Sequence, residues 1–142
     1  MTIRFTVLGE PGAKGRPRFY TNNGHVKTYT PEKTVSYENL VKLTYQAKYG
    51  DYKFSDDAML TMLIKAYFTI PKSVSKKKRE LMLSGKIRPI KKPDWDNVGK
   101  IIADSLNKIP YKDDAQIVSA SLEKYYSDRP RVEVFIGEIK NE

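Results

Sequence analysis

Four aspartates are spaced in a way that could do chemistry. Asp94 and Asp96 stand two apart in Lys92-Pro93-Asp94-Trp95-Asp96-Asn97, and Asp113 and Asp114 are adjacent in Tyr111-Lys112-Asp113-Asp114-Ala115-Gln116. Pro93 disfavours helix at Lys92, so Asp94 is expected to lie before the helix that follows. Residues two apart on an extended chain point the same way, which lets Asp94 and Asp96 share a cation. Mg²⁺, or Mn²⁺ in its place, takes oxygen ligands and few protein carboxylates. A third acid from a neighbouring strand end, Asp113 or Asp114, would complete such a site. The cations Lys91, Lys92, Lys100 and Lys112 flank it. Acids that hold a metal amid a basic surface suit a phosphodiester substrate, because the metal offsets the repulsion between carboxylate and phosphate, polarises phosphorus and activates water. Lys100, one turn from Asp96, is spaced to stabilise the charge of a pentacoordinate phosphorus.

The same residues also have a purely structural explanation. Asp96, Lys100, Asp104 and Lys108 follow one another at four-residue steps, which on a helix makes a ladder of opposite charges worth a few tenths of a kcal/mol per pair. Acids at the start of a helix favour its dipole, and Asp113 and Asp114 suit a turn. The two explanations differ in whether the acids converge.

The elements that must position these residues are legible in outline. Residues 2–9 alternate, with Ile3, Phe5 and Val7 on one side, which predicts a half-buried strand. Gly15 and Pro17 keep residues 13–20 out of a helix. Extended, this segment sets Lys14, Arg16 and Arg18 on one side, as a strip able to track phosphates. Thr21-Asn22-Asn23-Gly24 reads as a hairpin turn. Thr30 as N-cap and Pro31 at the first position open a helix through Val35, Tyr37, Leu40, Val41, Leu43, Tyr45 and Ala47, closed by Gly50. The nearly continuous apolar run over residues 58–69 predicts a central strand covered on both faces. A short basic helix capped by Ser73 or Ser75 ends at Gly85.

Val98, Ile101, Ile102, Ser105, Leu106 and Ile109 then form the stripe of an amphipathic helix, opened by Asp96 or Asn97 and closed by Pro110. Residues 117–126 alternate with Val118, Ala120 and Leu122 inward. Ser127-Asp128-Arg129-Pro130 turns the chain into a last strand through Val132, Val134 and Ile136, so these two strands are expected to form a hairpin. The order implies an α/β (mixed α+β) fold, with a mixed sheet of about four or five strands and flanking helices. A chain of 142 residues suits a single domain over residues 1–142.

Composition narrows the chemistry. With no Cys and only His25, thiolate zinc sites, disulfides and a His-based triad are set aside. A formal net charge of +9 points to a polyanion, of which nucleic acid is the usual one. There is no apolar run long enough for a membrane span and no leader-like start, so a cytoplasmic protein is expected.

The stretch from Lys92 through Asp94, Asp96, Asn97, Lys100 and Asp104 to Asp113-Asp114-Ala115-Gln116 resembles the signature of the RusA family, Holliday junction resolvases often carried by phages and prophages. Lys14-Gly15-Arg16-Pro17-Arg18-Phe19 resembles the family's N-terminal segment. The resemblance implies a homodimeric, Mg²⁺-dependent endodeoxyribonuclease of DNA recombination and repair, which nicks two strands symmetrically across a four-way junction. It implies Asp94, Asp96 and Asp114 as metal ligands and catalytic residues, Lys100 as the catalytic lysine, and Asp113 as the acid behind the ligand. Lys14, Arg16, Arg18 and Lys92 are the candidate DNA contacts. Trp95 stands where the family commonly has an aliphatic residue. A non-catalytic basic DNA-binding module and a nuclease acting on forks or flaps are the alternatives.

Overall fold

The computed structural model describes residues 2–140. Six strands and three helices follow one another along the chain: β1 (Thr2–Leu8), β2 (Arg18–Asn22), β3 (His25–Tyr29), α1 (Glu32–Tyr49), β4 (Met59–Thr69), α2 (Lys76–Leu83), α3 (Trp95–Ser105), β5 (Ile117–Ser127) and β6 (Arg131–Ile139). Four strands make a mixed sheet in the order β1-β6-β4-β5, and β2 and β3 make a separate ribbon. The mixed α+β class follows directly from the alternation periods in the sequence.

The expected hairpin of β5 and β6 does not form. β4 lies between them, parallel to β5 and antiparallel to β6. The link of residues 128–130 passes the end of β4, and it need span only two strand spacings, roughly 9.6 Å, within reach of a few extended residues. Burial explains why β4 takes the middle. Its Leu60, Met62, Ile64, Ala66 and Phe68 are all buried, whereas β5 exposes Ser119, Ala120 and Ser121 and so tolerates an edge. A register shift beside Leu60 and Thr61 displaces Val118, which is exposed instead of inward as expected. Ala120 and Leu122 stay in register with Met62 and Ile64, yet at this edge Leu122 is only half-buried and Ala120 is exposed instead of inward.

β4 is covered by helices on one face only, not on both. α1 and α3 pack together on the face of the even-numbered residues, with Val41, Tyr45, Val98, Ile101, Ile102 and Leu106 in the shared core. On the opposite face Thr61, Leu63, Lys65 and Tyr67 are half-buried. Basic side chains shield aromatic rings there: Arg131 lies 3.9 Å from the Tyr67 ring centre, Arg88 4.2 Å from Tyr125, and Arg4 5.3 Å from Phe135. Such stems cover apolar surface while their charges stay wet.

α1 starts one residue later than its sequence signal. Pro31 holds the cap position, with no side-chain cap from Thr30. Gly50 closes it at φ 62°, a left-handed conformation that glycine takes without strain. Its stripe is loose, for Thr34, Val41 and Tyr45 are buried while Val35, Leu40 and Leu43 are exposed. α2 is capped by the Ser75 side chain, which accepts from the Lys78 backbone N–H. The β2–β3 ribbon turns through Asn23 and Gly24 at φ 52° and 77°, as a two-residue hairpin turn requires. All ten of its strand residues are exposed.

Candidate active site

α3 carries the first half of the site. Val98, Ile101, Ile102 and Ser105 are buried, so the i, i+3, i+4 stripe anchors the helix and turns Asp96 and Lys100 toward solvent. The helix starts at Trp95, with Asp94 in the extended cap position and making no capping hydrogen bond. Asp96 therefore sits in the first turn and not in an extended entry. The expected parallel alignment of Asp94 and Asp96 is lost. Asp96 lines a cavity with Lys100 and Asp114, whereas Asp94 lines a separate one with Arg16, Lys92 and Asn97.

The loop before Asp94 is held from the sheet. Lys124, in β5, donates to the carbonyls of Lys91 at 2.7 Å and Pro93 at 3.0 Å, and Arg88 donates to the Lys124 carbonyl at 2.7 Å. Burial pushes the Lys124 ammonium down from its ordinary value, with Asp94 opposing and Lys91 assisting.

α3 ends at Ser105 and does not run to Pro110. Lys108 takes a left-handed φ of 68°, and the buried Tyr111 donates its hydroxyl to the Ala103 carbonyl at 2.7 Å, satisfying an acceptor that the helix end leaves free. Burial, with Asp114, Asp104 and Asp113 nearby, pushes the Tyr111 hydroxyl far above its usual range.

The second half of the site is built by the Asp-Asp-Ala-Gln sequence. Asp114–Gln116 forms a single 3₁₀ turn with Asp113 at its cap. Asp113 accepts from the Ala115 N–H at 3.0 Å, and the Gln116 side-chain oxygen accepts from the Lys112 and Asp113 N–H groups at 2.9 and 3.3 Å. Gln116 also donates to the carbonyls of Ser55 and Ala58, tying the turn to the chain before β4. The Asp114 N–H donates to Asn107 Oδ1 at 2.7 Å. The turn thus immobilises the backbone of Asp114, which lines the same cavity as Asp96.

The charge ladder expected along α3 is not what pairs these residues. Among the described residues Asp104 pairs with Lys14 at 3.5 Å, and Lys14 also pairs with Glu38 of α1 at 3.0 Å. Burial opposes the Lys14 charge, but the two carboxylates outweigh it and move the ammonium up. Lys14 is therefore drawn toward the acids, while Arg16 and Arg18 remain exposed. Asp104 also contacts Asp114, whose carboxyl is pushed above the ordinary range by burial first, then by a hydrogen bond to Asp104 and the charges of Asp104 and Asp113. Asp104, Asn107 and Lys124 were not singled out as site residues from sequence. Two signals reach Asp104, the four-residue step from Lys100, which also fits a charge ladder, and its place in the RusA-like stretch, and neither assigns it a role.

Among the described residues no three His, Cys, Asp or Glu side chains are grouped closely enough to hold one metal ion. The donor set still suits a hard cation. It is all oxygen, Asp96 and Asp114 open on one cavity, and burial first, then a hydrogen bond to Asp104 and the charges of Asp104 and Asp113, raise the Asp114 carboxyl. Mg²⁺ is commonly bound through one or two carboxylates plus substrate phosphate and water, without an all-protein cage.

A small mixed-sheet domain with acids at a helix mouth and a strand start, set in a basic surface, has the build of a nuclease. The chain belongs to the endodeoxyribonuclease RusA family, whose sequence profile matches residues 9–137. It is also 42% identical over 139 residues to the uncharacterized protein YqaN of Bacillus subtilis (strain 168), with 96% of each chain covered. No helix among the described residues is long and apolar enough to cross a membrane.

Proposed function

We infer that this protein is a divalent-metal-dependent endodeoxyribonuclease that resolves four-way DNA junctions by paired nicks. The observation that carries the reading is the convergence of Asp96, Lys100 and Asp114 on one cavity, within a chain of the RusA family. Asp96 and Asp114 would hold Mg²⁺ or Mn²⁺, and Asp94, at the cap of α3, is the third ligand that membership of the family implies. A cation held there supplies positive charge to the phosphate and lowers the pKa of water.

The chain's own residues do the rest. Lys100 presents its ammonium on the same cavity, where negative charge grows on the phosphate. Asn107, Asp113 and Gln116 hold the Asp114 backbone, so its carboxylate needs little reorganisation. Arg16, Arg18 and Lys92 are exposed beside the Asp94 cavity or at the base of the ribbon and contact backbone phosphates. Lys14 neutralises Asp104 and Glu38, so it serves DNA by positioning the acids more than by touching phosphate. A twofold homodimer matches a twofold junction and presents one site to each of two strands.

The test is Asp96→Asn with a labelled junction and Mg²⁺. The expected outcome is loss of nicking with junction affinity retained, since one carboxylate is exposed on the surface and its removal leaves the fold intact. Cleavage equal to the parent contradicts the metal role. That no three acids group closely among the described residues favours a second reading, a basic DNA-binding module without catalysis. That reading expects salt-sensitive binding and an intact junction in every divalent ion.

A further inference from the structure

The cavity shared by Asp96, Lys100 and Asp114 has a part that phosphate chemistry does not use. Beneath its charged rim lie Met62, Ile64, Ile117 and Leu122. Its volume is about 350 Å³, within the range of sites that take small organic ligands, about 300–1,000 Å³. Small residues keep its walls low: Gly99 and Ala103 on α3, Ala120 and Ser121 on β5. At the mouth stands Trp95, one residue from Asp96, with 67% of its surface exposed. A large flat ring so exposed gains nothing for the fold.

We propose that this cavity receives the nucleobase next to the scissile phosphate, stacked on Trp95. The proposal rests on the nuclease reading above. Three features favour a base over other occupants. The apolar floor cannot solvate a phosphate or hold an ion, so the cavity is not a continuation of the backbone track. The rim residues that would act on the phosphate are the same ones that open the cavity, so the base of that nucleotide lies over it. Lys100 then faces the attached phosphate while Trp95 faces the ring, which matches the two halves of a nucleotide. Stacking on an aromatic ring is tolerant of sequence, and the floor of Met62, Ile64, Ile117 and Leu122 offers no hydrogen-bond partner to a base edge, so the cavity discriminates between bases by size.

The chain has a single Trp beside ten Tyr, so tryptophan emission excited beyond the tyrosine absorption band reports the mouth of this cavity alone. The full-length protein is titrated with a four-way junction in the absence of divalent ions, and DNA anisotropy is read beside Trp emission. Emission quenched in step with binding is expected, and an abasic nucleotide at the nicked step should remove the quench. Trp95→Leu should fold normally, bind the junction at least about fivefold more weakly, and still nick, with a flattened preference among junctions that differ in the base at the nicked step. Binding by anisotropy with unchanged emission overturns the proposal while leaving the nuclease reading in place. A Trp95→Leu cleavage pattern identical to the parent's also overturns it. Emission that changes with protein concentration alone, in the absence of DNA, assigns the cavity to a second copy of the chain and overturns it too. No DNA binding at all removes both readings together.

Discussion

Asp113 and Asp114 are neighbours of the same type, yet the structure gives them different work. Asp113 caps the 3₁₀ turn through the Ala115 N–H, whereas Asp114 lines the cavity and carries a raised carboxyl. Asp113→Ala should cost about 0.5–2 kcal/mol of stability and reduce nicking without abolishing it. Asp114→Asn should leave urea unfolding nearly unchanged and abolish nicking. Paired denaturation curves and cleavage rates check both, and equal loss of activity in the two variants contradicts the division of roles. Spacing alone left Asp113 and Asp114 open as the third acid, because adjacent residues share every sequence-level signal. The hydrogen bonds that separate them run to Asn107, Ser55 and Ala58, partners that no local pattern reveals. The contacts of Asp104 are hidden for the same reason, since Lys14 lies ninety residues before it.

At the scale of elements, most local signals are realised, the Thr30 cap and the Pro110 end of α3 apart, and strand pairing is not. The strand period of β1, the Asn23-Gly24 turn, the Ser75 cap and the apolar stripe of α3 each depend on residues a few positions apart, and each is realised. The pairing of β5 with β4 instead of β6 depends on which strand needs burial most, a comparison across the whole chain. The end of α3 moved because Tyr111 reaches back to Ala103. The ribbon of β2 and β3 is the element most open to test. No other element packs closely against it, and its register puts Arg18, Tyr20, Asn22, His25, Lys27 and Tyr29 on one face. Between Pro11 and Pro31 there is no acid. A two-stranded ribbon alone is marginal in water, and one of this charge suits a DNA groove or backbone. Replacing residues 19–28 by Gly-Gly should leave stability within about 0.5 kcal/mol and weaken junction binding at least about tenfold. Thermal unfolding and DNA anisotropy check this, and unchanged affinity would remove the ribbon from the DNA surface.

The whole molecule carries a formal net charge of +9, and charge of this size acts on affinity and encounter rate more than on fold. Junction affinity should fall steeply with salt, by roughly 10³–10⁵ between 50 and 200 mM if six to ten phosphates are contacted. Sedimentation should give twice the chain's 16.4 kDa, because a single copy offers one site and paired nicks need two. A monomer that nicks both strands with equal timing contradicts the dimer. Fold class was legible at this scale, for it rests on the order of elements over the whole chain, while the net charge carries the expectation of a polyanion that the salt titration tests. The open second face of the sheet was not, because a run such as residues 58–69 looks alike whether helices or basic stems cover its outer side.

The most direct measurement is a time course on a four-way junction labelled on each strand in turn, run with Mg²⁺ and with chelator. The account predicts paired nicks at symmetric positions with Mg²⁺, an intact junction with chelator, and slower cutting of a fork or a linear duplex at the same protein concentration. A junction that is bound but stays whole in Mg²⁺ and in Mn²⁺ contradicts it.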